Sequence, residues 1–150
     1  VKNQPLQAFN KLDSTNYRPN GGTALLDAIG NTIKQIDEVS DGKRVIVCIV
    51  TDGQENSSHF YTKTHVKDLI EARQAKGWEF VYICADMASF HDAVAMGIRT
   101  TNVAMYDKGD PLAYANAFAS ASTAAMNTRT MGSAGDWRGT LKGEEEKKPS

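Results

Sequence analysis

Apolar positions recur along this chain with alternating periods. Leu25, Ile29, Ile33 and Ile36 are spaced by four, four and three residues, which makes one stripe on a helix opening at Thr23 and stopping near Ser40–Asp41–Gly42. The run from Arg44 to Thr51 is short, continuous and β-branched, the pattern of a strand covered on both faces. A second helix is predicted from Thr64 to Lys76, with Val66, Leu69 and Ile70 inward and Gly77 as its stop. Trp78–Ala85 is a second buried strand, followed by a short helix over Ser89–Met96 that ends at Gly97. Thr100–Tyr106 is a third, weaker strand. Asp110–Pro111 reads as a helix start, and the Ala-rich helix beyond it carries Leu112, Ala115, Phe118, Ala119, Ser122 and Met126. The small residues between Ala113 and Ala125 suit close helix packing.

Helices alternating with buried strands predict an α/β fold with a mainly parallel sheet, doubly wound, with helices on both faces. Residues 1–20 read as a loop or lead-in, residues 21–128 as the folded body, and 129–150 as a flexible tail, with Gly132 onward reading as disordered.

Geometry places the candidate chemistry. A helix of about 17 residues and a strand of about eight each span roughly 25 Å. The helix runs back along the strand it feeds, so Thr23 at the helix start and Asp52 at the strand end should meet at the carboxyl edge of the sheet. Open α/β sheets bind ligands there. The Thr23 hydroxyl and the Asp52 carboxylate, with Gly21 and Gly22 allowing close backbone approach and Gly53 beside the site, suit a hard divalent cation such as Mg²⁺, Mn²⁺ or Ca²⁺. The competing readings are a threonine helix cap and an Asp-Gly turn. Glu55, Asn56, Ser57, Ser58 and His59 form either a rim that reads a partner or a solvated loop. Asp86 is a cap for the next helix or a group beside the metal, and Asp27 suits the helix dipole. His65 and His91 are expected on helix surfaces, and Trp78 at a strand entry.

The bulk composition narrows the class. A net charge of -1 over 150 residues offers no reason to expect nucleic acid or an anionic membrane. No apolar run is long enough to span a bilayer, and no signal-peptide pattern opens the chain. Cys48 and Cys84 form no metal-ligand spacing and read as buried free thiols, which favours a reducing, cytoplasmic setting.

The stretches YRPNGGTALLDAIG, VIVCIVTDGQENSS and GWEFVYICAD resemble the von Willebrand factor A (VWA) domain, with the small bacterial and phage-type members nearest. The resemblance covers Tyr17 to Gly97 firmly and extends loosely to Met126. It implies a Rossmann-like fold and a metal ion-dependent adhesion site (MIDAS) in which Thr23 and Asp52 are ligands. It also implies a non-enzymatic protein-interaction module, whose partner commonly completes the metal shell with an acidic residue. The chain departs from the pattern in having no Asp-x-Ser-x-Ser loop; DSTN at Asp13–Asn16 has no strand before it. By family comparison the first strand, first helix and next two strands are absent, so the fold is incomplete on its N-terminal side and metal binding is expected to be weak. The bare edge of the Arg44–Thr51 strand is expected to need upstream sequence, another chain or a rearranged homodimer to complete the sheet. Two further functions stay open. One is a metal-free scaffold subunit with a degenerate site. The other is a metal-dependent hydrolase using Asp52 and Asp86, although no Gly-x-Ser-x-Gly, P-loop or His/Asp set appears.

Overall fold

A computed structural model of the chain describes residues 13–16 and 21–141. Most of the expected lead-in and the end of the expected tail therefore lie outside the described residues. Within them, four α-helices alternate with three strands: α1 (Leu25–Asp37), β1 (Ile46–Val50), α2 (Lys63–Gln74), β2 (Glu79–Cys84), α3 (Met87–Ala95), β3 (Val103–Met105) and α4 (Ala113–Met131). The strands lie in chain order, β1-β2-β3, and both pairings are parallel. Val47 stands beside Phe80, and Ile83 beside Ala104. The expected α/β class and parallel sheet are what the chain adopts.

The apolar stripes explain the layers. Leu26, Ile29 and Ile33 of α1 join Val66 and Ile70 of α2 and Ala93 of α3 over one face of the sheet, against Val47, Ile49, Phe80 and Tyr82. On the other face Ala113, Ala117 and Ala124 of α4 pack on Val81, Ile83 and Ala104. Their small side chains let α4 lie close to the strands. β2 is buried along its whole length, as its unbroken apolar run requires. At the end of α2, Gly77 takes a positive φ of 86°, a conformation open to glycine.

Several boundaries and burials differ from expectation. α1 begins at Leu25 rather than Thr23, and β1 spans five residues. β1 is not covered on both faces: Cys48 is exposed, so only Cys84 is a buried thiol. Among the described residues β1 sits at the edge of the sheet, where α4 screens it only in part. Thr100–Asn102 form a 3-10 turn instead of strand, and β3 is short. α4 starts at Ala113, because Asp110 makes a turn whose carboxylate accepts the Leu112 N–H and whose carbonyl accepts the Ala113 N–H. Its inward stripe is Ala113, Ala117, Ser120, Ala124 and Thr128, while Leu112, Phe118 and Met126 face outward.

The tail expected from residue 129 is replaced by structure as far as residue 141. α4 runs on to Met131, and the chain then returns under the sheet, where Trp137 is 1% exposed among Val81, Ile83 and the α4 alanines. The Arg138 guanidinium donates to the carbonyls of Thr100, Thr101 and Val103, fastening the segment to the entry of β3. No helix among the described residues is long and apolar enough to cross a membrane.

Candidate functional site

The carboxyl edge of β1 opens into a groove of about 470 Å³. Thr23, Ala24, Leu25 and Ala28 form one wall and Tyr106, Tyr114 and Phe118 the other, with Val50, Thr51 and Asp52 between them. Thr23 and Asp52, 29 positions apart, are thus brought to one site. The Thr23 hydroxyl lies over Gly53, where a Cβ would stand 3.4 Å from it. A side chain at Gly53 would thus meet the threonine only at ordinary contact distance, and the turn that carries Asp52 lies beside it.

Thr23 is not the cap of α1. The cap position belongs to Ala24, which offers no side-chain acceptor. The loop after β1 supplies what the helix start lacks. Glu55 accepts the Leu26 N–H at 2.8 Å, and Ser58 Oγ accepts the Asp27 N–H at 3.0 Å. The same glutamate accepts the N–H groups of Ser57 and Ser58 and the Ser58 hydroxyl. A carboxylate at a helix N-terminus satisfies donors that would otherwise be orphaned. Desolvation works to raise the Glu55 carboxyl, but these donors together hold it below its ordinary value.

Asp27 closes the same loop from the helix side. It is 8% exposed, and its carboxylate accepts the N–H groups of His59, Phe60 and Tyr61 at 2.8–2.9 Å. Desolvation again pushes its pKa up, and the three backbone donors outweigh it, so the carboxyl sits below its usual range. Sequence reasoning gave Asp27 only a dipole role. The missed signal was an acid one turn into a helix that must pair with a polar loop.

The expected rim thus divides. Glu55 and Ser58 face inward to the helix start and hold the loop. Asn56 is exposed, yet its side-chain oxygen accepts the Thr23 N–H and the Ser57 hydroxyl. Gly22 is tightly placed: a Cβ there would lie 3.0 Å from the Ser57 Cβ and collide with its hydroxyl. Gly21 meets nothing within 4 Å. Asp86 caps α3, accepting the Ser89 N–H at 2.8 Å and the Ser89 hydroxyl at 3.2 Å. The Ser89 N–H, more than any other contact, holds the Asp86 carboxyl below its usual range.

Two residues beside Asp52 were not foreseen. Lys108 donates its ammonium to the Asp52 carbonyl, and the Tyr114 hydroxyl lies 3.5 Å from the Asp52 carboxylate. Tyr114 also leans its ring against Tyr106, with centroids 5.4 Å apart. Among the described residues no three His, Cys, Asp or Glu side chains gather in a way that could hold a metal ion. The groove offers two oxygen donors of hard character, the Thr23 hydroxyl and the Asp52 carboxylate. These fit a largely hydrated Mg²⁺, an ion that is commonly bound through one or two protein groups.

The site is therefore an open, oxygen-bearing groove at the carboxyl edge of a parallel sheet. Comparison with protein-family models, curated proteins and solved structures found no match.

Proposed function

We propose that this chain is a non-enzymatic, VWA-type protein-interaction module that contacts its partner through the groove at Thr23 and Asp52. The observation that carries this reading is the shared groove itself. A hydroxyl and a carboxylate from distant elements converge where parallel α/β sheets take ligands, and the loop at residues 53–61 is pinned in place by Glu55 and Asp27. Thr23 and Asp52 would hold Mg²⁺, or Mn²⁺ or Ca²⁺ in its place, with water and an acidic side chain of the partner filling the remaining positions. The ion would supply an electrostatic anchor for that acid. Cys84 as a buried free thiol and Cys48 as an exposed one support a reducing setting such as the cytoplasm.

Calorimetric titration of Mg²⁺ and Mn²⁺ into the chain tests this. Saturable one-site binding that is lost in both Thr23→Ala and Asp52→Asn supports the metal-assisted reading. Heats unchanged by either substitution would sink it. A phosphoester screen with Mn²⁺ should give no turnover; activity abolished by Asp52→Asn would favour the hydrolase instead.

A second reading has its own observation. The Lys108 ammonium on the Asp52 carbonyl and the Tyr114 hydroxyl near its carboxylate satisfy Asp52 from within the chain. A metal-free scaffold subunit would use the groove in that state. Lys108→Ala separates the two, because removing the adjacent positive charge strengthens Mg²⁺ binding in the first reading and leaves the scaffold without any.

A further inference from the structure

We infer that the Tyr106 hydroxyl is the hydrogen-bond donor that recognises the partner's carboxylate in the groove, and that Tyr114 is a lid over it, released when the Asp52 carboxylate is drawn to a metal ion. The inference rests on the metal-assisted reading above and names the side chain that tells an acid from its amide.

Tyr106 is held in place from below. It directly follows β3 and extends that strand's ladder, since its N–H donates to the Cys84 carbonyl at 2.8 Å. The residue is 5% exposed and belongs to the apolar cluster of Val81, Ile83, Ala113 and Ala117. Its side chain also lines the groove that holds Thr23 and Asp52. The hydroxyl at its tip is buried and makes no hydrogen bond among the described residues. Tyr82 carries a like hydroxyl, but of the two only Tyr106 lines the groove. A buried tyrosine ordinarily finds a partner for its hydroxyl, and an unpaired one lowers stability. Phenylalanine would fill the same space without that cost. A partner that arrives from the groove accounts for the tyrosine.

The chemistry of that partner follows from the proton. Burial first, then Tyr114 and the Asp52 charge, raise the Tyr106 pKa, so the hydroxyl keeps its proton and donates it. A donor in a low-dielectric wall favours an anionic oxygen over a neutral one. A carboxylate that gives one oxygen to a metal ion has a second oxygen free for such a donor. An amide in the same pose has a single oxygen, already engaged by the ion. The Lys108 ammonium is held by the Asp52 carbonyl and leaves this place to Tyr106.

Tyr114 is placed to act as the lid. It is the second residue of α4 and half exposed, and its ring lies against that of Tyr106 at an angle of 52°. Its polar tie to the groove is the long 3.5 Å contact from its hydroxyl to the Asp52 carboxylate. That contact aims an O–H proton at an oxygen that a cation would share. Positive charge at Asp52 repels the proton and loosens the tie. Because the side chain sits at the helix start with one side in solvent, a change of rotamer moves it off Tyr106 without disturbing α4.

The test begins with the metal-free chain. Tyr106→Phe should melt at or above the wild-type temperature, because it removes an unpaired buried hydroxyl and opens no cavity. A lower melting temperature would show the hydroxyl to be paired within the chain and would overturn the inference. Acetate and acetamide are then the probes, added to Mn²⁺ held on excess protein and read by the broadening of their methyl proton signals. Wild type should broaden acetate far more than acetamide. Tyr106→Phe should bind Mn²⁺ as wild type does and hold acetate about tenfold more weakly or worse, the loss expected for one hydrogen bond to a charged group. Tyr114→Ala should bind Mn²⁺ more tightly and keep acetate at or above wild-type affinity; weaker binding of either would remove the lid. Equal acetate affinity in wild type and Tyr106→Phe, or no acetate binding at all, with Mn²⁺ bound by both, overturns the inference and leaves the metal-assisted reading standing. Failure of wild type to bind Mn²⁺ overturns that reading and this inference with it.

Discussion

Thr23 and Asn56 hold each other by both ends. The Thr23 N–H donates to the Asn56 side-chain oxygen at 2.8 Å, and the Asn56 N–H donates back to the Thr23 carbonyl at 3.1 Å. The lead into α1 is thereby fixed to the loop after β1, and the groove keeps its shape. Asn56→Ala removes the side-chain half of this pair. It should cost about 1 kcal/mol in urea unfolding. Where Mg²⁺ binds, its affinity should fall as well, because Thr23 is no longer held. An unchanged unfolding midpoint would mean the pairing is incidental.

The carboxylates of Glu55 and Asp27 make stability depend on acid. Each has a lower pKa in the folded chain than in the unfolded one. At low pH the unfolded chain binds more protons, so stability rises with pH across the carboxylate range. The contribution should be complete above about pH 5, begin to decline near the free-chain values of about 4.3 and 3.9, and be lost as pH falls through the lower folded-state values. Glu55→Gln and Asp27→Asn should each be less stable at neutral pH and show a shallower loss toward acid. Urea midpoints measured as a function of pH check both, and parallel curves for wild type and variants would contradict the assignment.

Adjacent glycines should respond differently to the same change. Gly22→Ala must push Ser57 aside and should cost about 1–3 kcal/mol. Gly21→Ala meets no neighbour and should stay within about 0.5 kcal/mol of wild type. Thermal melts of the pair give the comparison directly, and equal melting temperatures would remove the close-approach role from Gly22.

Trp137 should behave as a core residue. Trp137→Ala is expected to cost about 3–5 kcal/mol, as for a large aromatic removed from a packed interior. Arg138→Ala should cost less, because it releases three carbonyls near the surface without opening a cavity. A chain ending at Met131 should be destabilised at least as much as Trp137→Ala. A melting temperature indifferent to all three would make the segment an ornament of the fold.

Much of the architecture is legible in the one-dimensional pattern because burial imposes periodicity. Ile29 and Ile33 in α1, Val66 and Ile70 in α2, and the unbroken run of β2 are all buried where their spacing puts them. The meeting of Thr23 and Asp52 follows from helix and strand lengths alone. The inward face of α4 is not legible in this way, because its largest apolar side chains are not the ones that are buried. Small residues pack inward there, and Phe118 and Met126 point out.

What the sequence by itself determined is the order of elements, the class of sheet and the edge on which the polar groups collect. Local periodicity and length control each of these. Only the tertiary structure decided which polar groups remain available at that edge. Asp27 is taken up by backbone donors from a segment far away in the chain, Glu55 by its own loop and the distant Leu26 N–H, Asp86 by its own helix, and Asp52 is approached by Lys108 and Tyr114. Hydrogen-bond partners brought together by folding leave no spacing signature. The return of Trp137 under the sheet is hidden for the same reason: a single aromatic in a Gly- and Ser-rich stretch has no period, and only the space beneath Val81 and Ile83 gives it a place.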